Sequence, residues 1–189
     1  MSDTLALKDL LAMDGRALYG VMERAHPLDL AFLADKQYQG IDLSLPPWVN
    51  RILWKTFRKT FHRDPRTGAL RGWNVRMKQQ GIEGPREPMT GRDGRPLSFG
   101  HYEVRSAEGL RFPRGWTGAQ YLDYGVVGNP PWDFARFGYC PLVAVNEGSG
   151  ELLLGWEVFR FGPVFAPLPD FWALRLEGPL EEVVPRPRG

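Results

Sequence analysis

The spacing of apolar residues changes along the chain from a helical period to a strand period. From residue 4 to residue 22, apolar residues recur at helical spacing. Residues 27–36 begin with Pro27, which suits the first turn of a further short helix. These patterns predict a helical N-terminal arm over residues 1–36.

Beyond residue 38 the alternation has the period of two that is typical of strands with one buried face, first seen from Gly40 to Leu45. The turn residues of Asp64–Gly68 predict a hairpin with Leu70–Met77 as its second arm. Asn146–Gly150 separates two apolar runs and predicts another hairpin loop. Further strands are predicted at 99–106, 119–127, 142–145, 151–161 and 171–177.

Residues 46–63 admit two interpretations. Pro46 and Pro47 end the preceding strand and suit the start of a helix, which Phe57 and Phe61 would extend as a basic amphipathic helix. Alternatively the helix ends near Trp54, and the threonines and phenylalanines of residues 55–63 form a strand. We favour the strand because it leads directly into the predicted hairpin turn.

Seven or eight short strands without regular strand–helix alternation indicate a mainly β fold, α+β by content. Closing the sheet removes its exposed edges, so we predict an antiparallel β-barrel of about eight strands over residues 38–177. The Gly- and Pro-rich residues 79–97 are predicted to form a long loop, and residues 178–189 a tail. All 189 residues are expected to form one domain.

The cysteine and hydropathy content limit the compartment and the chemistry. Cys140 is the only cysteine, which excludes an intramolecular disulfide and a cysteine-based zinc site. The chain begins without a basic segment leading into a long apolar run, and it has no apolar stretch long enough for a membrane span. We therefore expect a cytoplasmic protein that does not span a membrane.

The net charge of +2 gives no reason to expect a nucleic-acid partner. The charges are nevertheless unevenly distributed, because Arg51 to Lys78 is strongly basic and the chain from Glu147 onward is acidic. These two blocks either face each other across the sheet or form separate patches. A separate basic surface would suit an acidic partner or anionic lipid headgroups.

Four short segments resemble small bacterial proteins with a lipocalin-like, or calycin-like, barrel. They are Tyr38-Gln39-Gly40, Leu53 to Phe57, Leu122-Asp123-Tyr124 and Leu152 to Gly155. The resemblance covers most of residues 38–177, although Asp42 stands where the Gly-x-Trp signature of true lipocalins has tryptophan. It implies a barrel that holds a small, largely apolar molecule, and it implies no catalytic residue.

Three residues are candidates for acid–base chemistry. His101 and Glu103 lie two apart on a predicted strand, so the carboxylate can orient the imidazole and raise its pKa. A solvated outer face is the competing interpretation of this pair. Asp123 lies in an apolar strand, where a carboxylate facing the barrel interior would act as an acid, a base or an anchor; a structural hydrogen bond is the alternative.

Five residues are candidates for ligand binding. Glu157 and Arg175 lie within apolar strands and would supply polar anchors, while aromatic residues would supply apolar walls. The set predicted to line the cavity is Tyr124, Trp156, Glu157, Trp172 and Arg175. The sequence contains no phosphate-binding loop and no metal-ligand spacing, so we expect no cofactor and no metal.

The sequence thus favours binding of a small hydrophobic or amphipathic molecule in a barrel cavity. The first alternative is a cofactor-independent isomerase, cyclase or dehydratase that uses the same cavity. The second is an interaction protein with a basic surface. The sequence leaves open whether any reaction is catalysed, and it leaves the oligomeric state open.

Overall fold

A computed structural model describes residues 4–44, 55–126 and 128–187. The N-terminal arm contains three short helices: α1 (Leu7–Leu11), α2 (Gly15–Arg24) and α3 (Leu30–Leu33). Helices α2 and α3 each begin after an aspartate, Asp14 or Asp29, whose carboxylate accepts hydrogen bonds from backbone amides of the first turn. Within the described ranges, no helix has the length and apolar character needed to cross a membrane.

Eight strands form one antiparallel sheet in chain order, and the first pairs with the last to close a barrel. The strands are β1 (Lys36–Asp42), β2 (Thr56–Arg63), β3 (Leu70–Arg76), β4 (Ser98–Ser106), β5 (Gln120–Asp123), β6 (Tyr139–Ala144), β7 (Leu152–Phe161) and β8 (Val164–Pro179). The predicted antiparallel barrel of about eight strands with a helical N-terminal arm is therefore confirmed. Every neighbouring pair is antiparallel, which matches the short turns of the sequence.

Residues 56–63 form a strand, so the predicted strand is correct for this part of the ambiguous segment and the amphipathic helix is wrong there. The helix predicted to start at Pro46 lies outside the described residues. Strand β8 begins at Val164, seven residues before the predicted start, whereas β5 ends at Asp123 rather than at 127. The long loop at 79–97 takes part in two isolated bridges, one of Pro88 with Met77 before the loop and one of Thr90 with Pro96 within it.

Apolar side chains fill the barrel on its inner side and also cover much of its outer side. The inner cluster includes Tyr38, Phe61 and Tyr102, all fully buried. On the outside, the N-terminal arm packs on β7 and β8, where Leu18 belongs to the same cluster as Trp156. The C-terminal segment covers Trp73, Val75 and Met77 through Leu180 and Val184.

The close approach of β2, β3 and β4 requires glycine at position 72. A Cβ atom there would clash with the Thr60 carbonyl oxygen and with the Tyr102 hydroxyl. That hydroxyl donates a 2.6 Å hydrogen bond to the same carbonyl inside the barrel. The backbone partner cannot move aside without disturbing the pairing of β2 with β3.

We expect Gly72→Ala to lower the free energy of unfolding by about 2–3 kcal/mol, the usual cost of forcing atoms into a packed core. Urea denaturation measures the difference. The matched control is Gly20→Ala in α2, which should be neutral or raise stability by about 0.5–1 kcal/mol because alanine favours helix. Equal midpoints for Gly72→Ala and the wild type would contradict the packing described for the barrel.

Candidate functional site

A cavity of about 190 Å³ lies inside the barrel. Its described walls combine aromatic rings with polar and charged side chains. The residues that line it are Asp42, Phe57, Lys59, Asn74, Phe99, Tyr124, Ala135, Glu157, Asp170 and Trp172. They come from six of the eight strands, from Tyr124 directly after β5 and from the short 3-10 helix at Phe134–Phe137, so the closed sheet brings together residues distant in sequence.

Lys59 is fully buried and its ammonium group points into this cavity. Its Nζ donates hydrogen bonds to Asn74 Oδ1 at 2.8 Å and to Tyr124 Oη at 2.7 Å. The Nζ atom also lies 4.6 Å from the centre of the Trp172 ring and 4.7 Å from that of Tyr102. These rings attract a cation through their negative faces, which offsets part of the loss of hydration.

Burial lowers the pKa of Lys59 to about 8, against an ordinary value of 10.5, although the charges of Cys140 and Glu157 partly counteract this effect. In the described part of the chain, no carboxylate oxygen lies within 4.0 Å of Lys59 Nζ. The lysine is therefore held by neutral acceptors and aromatic rings. Its amine loses a proton far more readily than that of a solvated lysine.

Glu157 supplies a carboxyl group to the same cavity. Burial raises its pKa, while Lys59 and hydrogen bonds with Cys140 and Trp172 act in the opposite direction. The Trp172 indole donates to Glu157 Oε2 at 3.4 Å. The thiol of Cys140 is fully buried, and burial raises its pKa well above the ordinary value.

Asp42 and Asp170 form a second acidic part of the cavity wall. Burial raises the pKa of Asp170 to about 8, and the charges of Glu157 and Asp42 and a hydrogen bond with Asp42 add to this effect. The Asp170 carboxyl therefore keeps its proton at neutral pH and can donate a hydrogen bond. Lys55 Nζ donates to the backbone carbonyl of Asp42 and lies 3.8 Å from its Oδ2.

Three of the five predicted ligand-binding residues, Tyr124, Glu157 and Trp172, line this cavity. Trp156 instead lies on the outer side of β7, where its ring stacks on Phe171 with centroids 6.1 Å apart. Arg175 also lies away from the cavity lining. Its guanidinium donates to the side chain of Gln39 and forms an ion pair with Glu83 at 2.9 Å.

The three predicted acid–base residues do not line the cavity. His101 is buried beside Trp73, with ring centroids 6.1 Å apart, and it faces a groove outside the barrel. Burial, with the charge of Arg71, lowers the pKa of His101 to about 4, so it is neutral at pH 7. Glu103 forms ion pairs with Arg105 at 3.0 Å and with Arg186 at 2.9 Å.

Asp123 is buried on the outer side of β5 and accepts a 2.9 Å hydrogen bond from the Gly125 amide. Burial raises its pKa, and the bond from Gly125 and the charge of Arg105 oppose the shift. The barrel does not bring Asp123 together with the carboxyl groups of the cavity. The cavity lining thus gives no support to the acid–base role of His101, Glu103 or Asp123.

The basic and acidic blocks of the sequence meet in the fold. Arg58 forms ion pairs with Glu177 at 2.8 Å and with Glu181 at 3.3 Å. Within the basic block, Arg71 lies 3.9 Å from Asp64, and Lys59 lies inside the barrel rather than on a surface. The alternative in which the two blocks face each other across the sheet fits these pairs better than a continuous basic surface does.

The cavity-lining residues that sequence reasoning missed are the polar Asp42, Lys59, Asn74 and Asp170 and the apolar Phe57, Phe99 and Ala135. A signal for Lys59 was present, because Phe57, Lys59 and Phe61 lie two apart and therefore face the same side of β2. Two phenylalanines on the buried face place the lysine there as well.

One wall of the cavity is the 3-10 helix at Phe134–Phe137, which hydrogen bonds of Asp133 hold in place. Ala135 and Phe99 line both the cavity and a larger outer groove, in which Trp132 is 84% exposed. The Asp133 carboxylate accepts hydrogen bonds from the amides of Gly100 at 2.7 Å and Ala135 at 3.0 Å. Asp133 thus links the 3-10 helix that carries Ala135 to strand β4.

We expect Asp133→Ala to release this contact, because a hydrogen bond to a charged group contributes about 1.5–3 kcal/mol. The amides of Gly100 and Ala135 should then exchange with deuterium about tenfold faster or more. Hydrogen exchange read by NMR tests this. Asp93→Ala is the control, since Asp93 caps only the local turn at Arg95. Unchanged exchange of these two amides in Asp133→Ala would contradict the link between the 3-10 helix and β4.

The fold and the cavity together define a closed eight-stranded antiparallel barrel with a partly open cavity of mixed aromatic and polar lining. This architecture is compatible with ligand binding. Comparisons with protein-family models, with curated proteins and with solved structures gave no match for this chain.

Proposed function

We propose that the protein reversibly binds a small, flat, neutral amphipathic molecule in the barrel cavity. The observation that carries the proposal is the convergence of Lys59, Glu157 and Asp170 on a space walled by aromatic rings. Buried ionisable groups around an unfilled space inside a packed barrel are typical of binding sites.

The size of the cavity limits the ligand. A cavity of roughly 150 Å³ in another protein holds benzene, so about 190 Å³ accommodates one six-membered ring with a short substituent. Trp172 and Phe57 offer rings against which a flat molecule would pack.

The charges favour a neutral ligand with an acceptor oxygen. A bound anion would face the carboxyl groups of Asp42, Asp170 and Glu157, whereas a bound cation would face Lys59. The described residues supply acceptors for two of the three N–H groups of the Lys59 ammonium. A ligand carbonyl or hydroxyl oxygen would accept the hydrogen bond of the third. The protonated carboxyl of Asp170 is a second donor in the same wall.

The test is calorimetric titration with acetophenone, benzoate and benzylammonium, which share one ring and differ in charge. We expect one-to-one binding of acetophenone, about tenfold or more tighter than that of either ion. The variant Ala135→Phe fills part of the cavity and should abolish binding, whereas Ala12→Phe adds the same ring at an exposed site of the arm and should not. Equal affinities in both variants would contradict the proposal.

We further propose that the chain belongs with the lipocalin-like barrels and that it works in the cytoplasm. The sequential antiparallel order of eight closed strands supports the first statement. The unpaired, buried Cys140 supports the second. Fractionation of the host's cells with an antibody against the chain would test the location.

A further inference from the structure

Lys59 is distinguished by its surroundings from the other four lysines of the chain. Lys8 is exposed on α1, Lys36 is half-buried at the start of β1, Lys78 forms an exposed ion pair with Glu87, and Lys55 lies next to Asp42. Only the side chain of Lys59 is among the residues that line the barrel cavity in the described ranges. Its Nζ is also the only one of these amines that the described structure surrounds with aromatic rings.

The walls around Lys59 suit the chemistry of an amine with a carbonyl compound. A neutral amine is the nucleophile, and burial makes that form accessible near neutral pH. Asp170 lines the same cavity and holds a proton that can leave with oxygen. The rings of Trp172 and Tyr102 lie within 4.6 and 4.7 Å of Nζ and stabilise a positive charge at that nitrogen, whether ammonium or iminium.

We propose that Lys59 captures a small aromatic aldehyde as a reversible imine within the barrel cavity. This inference rests on the proposed function, since it assigns the ligand class and the bonding of the same site. Lys59 is itself buried, and the rings of Trp172 and Tyr102 beside its Nζ limit the access of water to that nitrogen and so slow hydrolysis of the product.

The reaction balances without an oxidant or a reductant. The Nζ lone pair attacks the aldehyde carbon, the C=O π electrons move to oxygen, and transfer of a proton from nitrogen to oxygen gives a neutral carbinolamine. Asp170 then donates its proton to the hydroxyl group, the C–O bond breaks and water leaves. The nitrogen lone pair forms the C=N bond of a protonated imine, whose charge is balanced by the Asp170 carboxylate.

The experiment treats the full chain with benzaldehyde and sodium cyanoborohydride at pH 7.5 and locates the added benzyl groups by peptide mass spectrometry. We expect Lys59 to be modified about tenfold or more faster than Lys8 or Lys78. Excess acetophenone should suppress modification of Lys59 and leave Lys8 unaffected. Because all sites are read within one wild-type sample, the result does not depend on whether a variant folds.

Two variants complete the test. Lys59→Arg cannot form an imine and should lose the fast modification, whereas Lys8→Met should keep it. Slow modification of Lys59 together with tight acetophenone binding would overturn the imine and leave the proposed binding function intact. Slow modification without any acetophenone binding would overturn both.

Discussion

Replacing Asp170 with asparagine is expected to stabilise the protein at pH 8 and to leave its stability at pH 4 nearly unchanged. The pKa of this carboxyl is raised from 3.8 to about 8, chiefly by burial. Between these values the unfolded chain has released the proton and the folded protein still holds it. The folded state therefore loses relative stability as the pH rises from about 4 to about 8.

The size of this effect follows from the shift. Each pKa unit corresponds to about 1.4 kcal/mol, so the shift of about four units sets an upper limit of roughly 6 kcal/mol, of which roughly 5 kcal/mol is reached at pH 8. Coupling to Asp42 lowers the expected gain to roughly 2–4 kcal/mol. Asparagine cannot ionise, yet its amide can still donate to Asp42. Urea denaturation at pH 4 and pH 8 measures the gain.

The exposed Asp93→Asn is the control and should change stability by less than about 0.5 kcal/mol at either pH. A gain for Asp170→Asn that is the same at pH 4 as at pH 8 would contradict the protonated state assigned to this carboxyl.

The second large effect concerns the buried lysine. We expect the free energy of unfolding of the wild type, measured against that of Lys59→Met at the same pH, to increase by about 3 kcal/mol from pH 7.5 to pH 10.5. The pKa of Lys59 is lowered by burial to about 8 from 10.5. Between these values the folded protein has released the proton that the unfolded chain still binds, so stability rises with pH.

The other titratable groups around Lys59 must be held constant in this comparison. Glu157, Tyr124, Tyr102 and Cys140 lie in or against the same cavity and are present in both proteins. Asp170 titrates in an overlapping range, so the comparison is best made in an Asp170→Asn background. Lys8→Met should show no such dependence on pH. If the difference in stability between the wild type and Lys59→Met does not change over this pH range, the lowered pKa of the buried Lys59 amine is refuted.

Most of the barrel could be predicted from sequence because local signals specify it. The turn at Asp64–Gly68 forms with a hydrogen bond from the Gly68 amide to the Asp64 carbonyl, and it joins β2 to β3 as expected. The first half of β8 was missed because Pro167 and Pro169 suggest a loop. In the fold Pro167 pairs with Val158 beside an irregularity in the register, a position where a missing amide is tolerated.

The residues that line the cavity could be predicted in part, and the errors in that prediction have a common cause. Neighbouring residues of a strand face opposite sides of the sheet, so Tyr124 and Asp123, like Glu157 and Trp156, could not both enter one cavity. Only the fold shows which member of each pair faces inward. Lys59 was counted with the basic block, and Asp170 lies just before the strand predicted at 171–177. Neither was recognised as a site residue, because burial depends on contacts between strands distant in sequence.

The central claim is that the barrel cavity is a binding site centred on Lys59. A crystal structure of the wild-type protein grown with saturating acetophenone tests it most directly. We predict density for one ketone packed against Trp172, with its oxygen in hydrogen-bond distance of Lys59 Nζ or the Asp170 carboxyl. A barrel whose interior is filled by Phe57, Phe99 and Trp172, with the ketone absent or bound only in the outer groove beside Trp132, would contradict it.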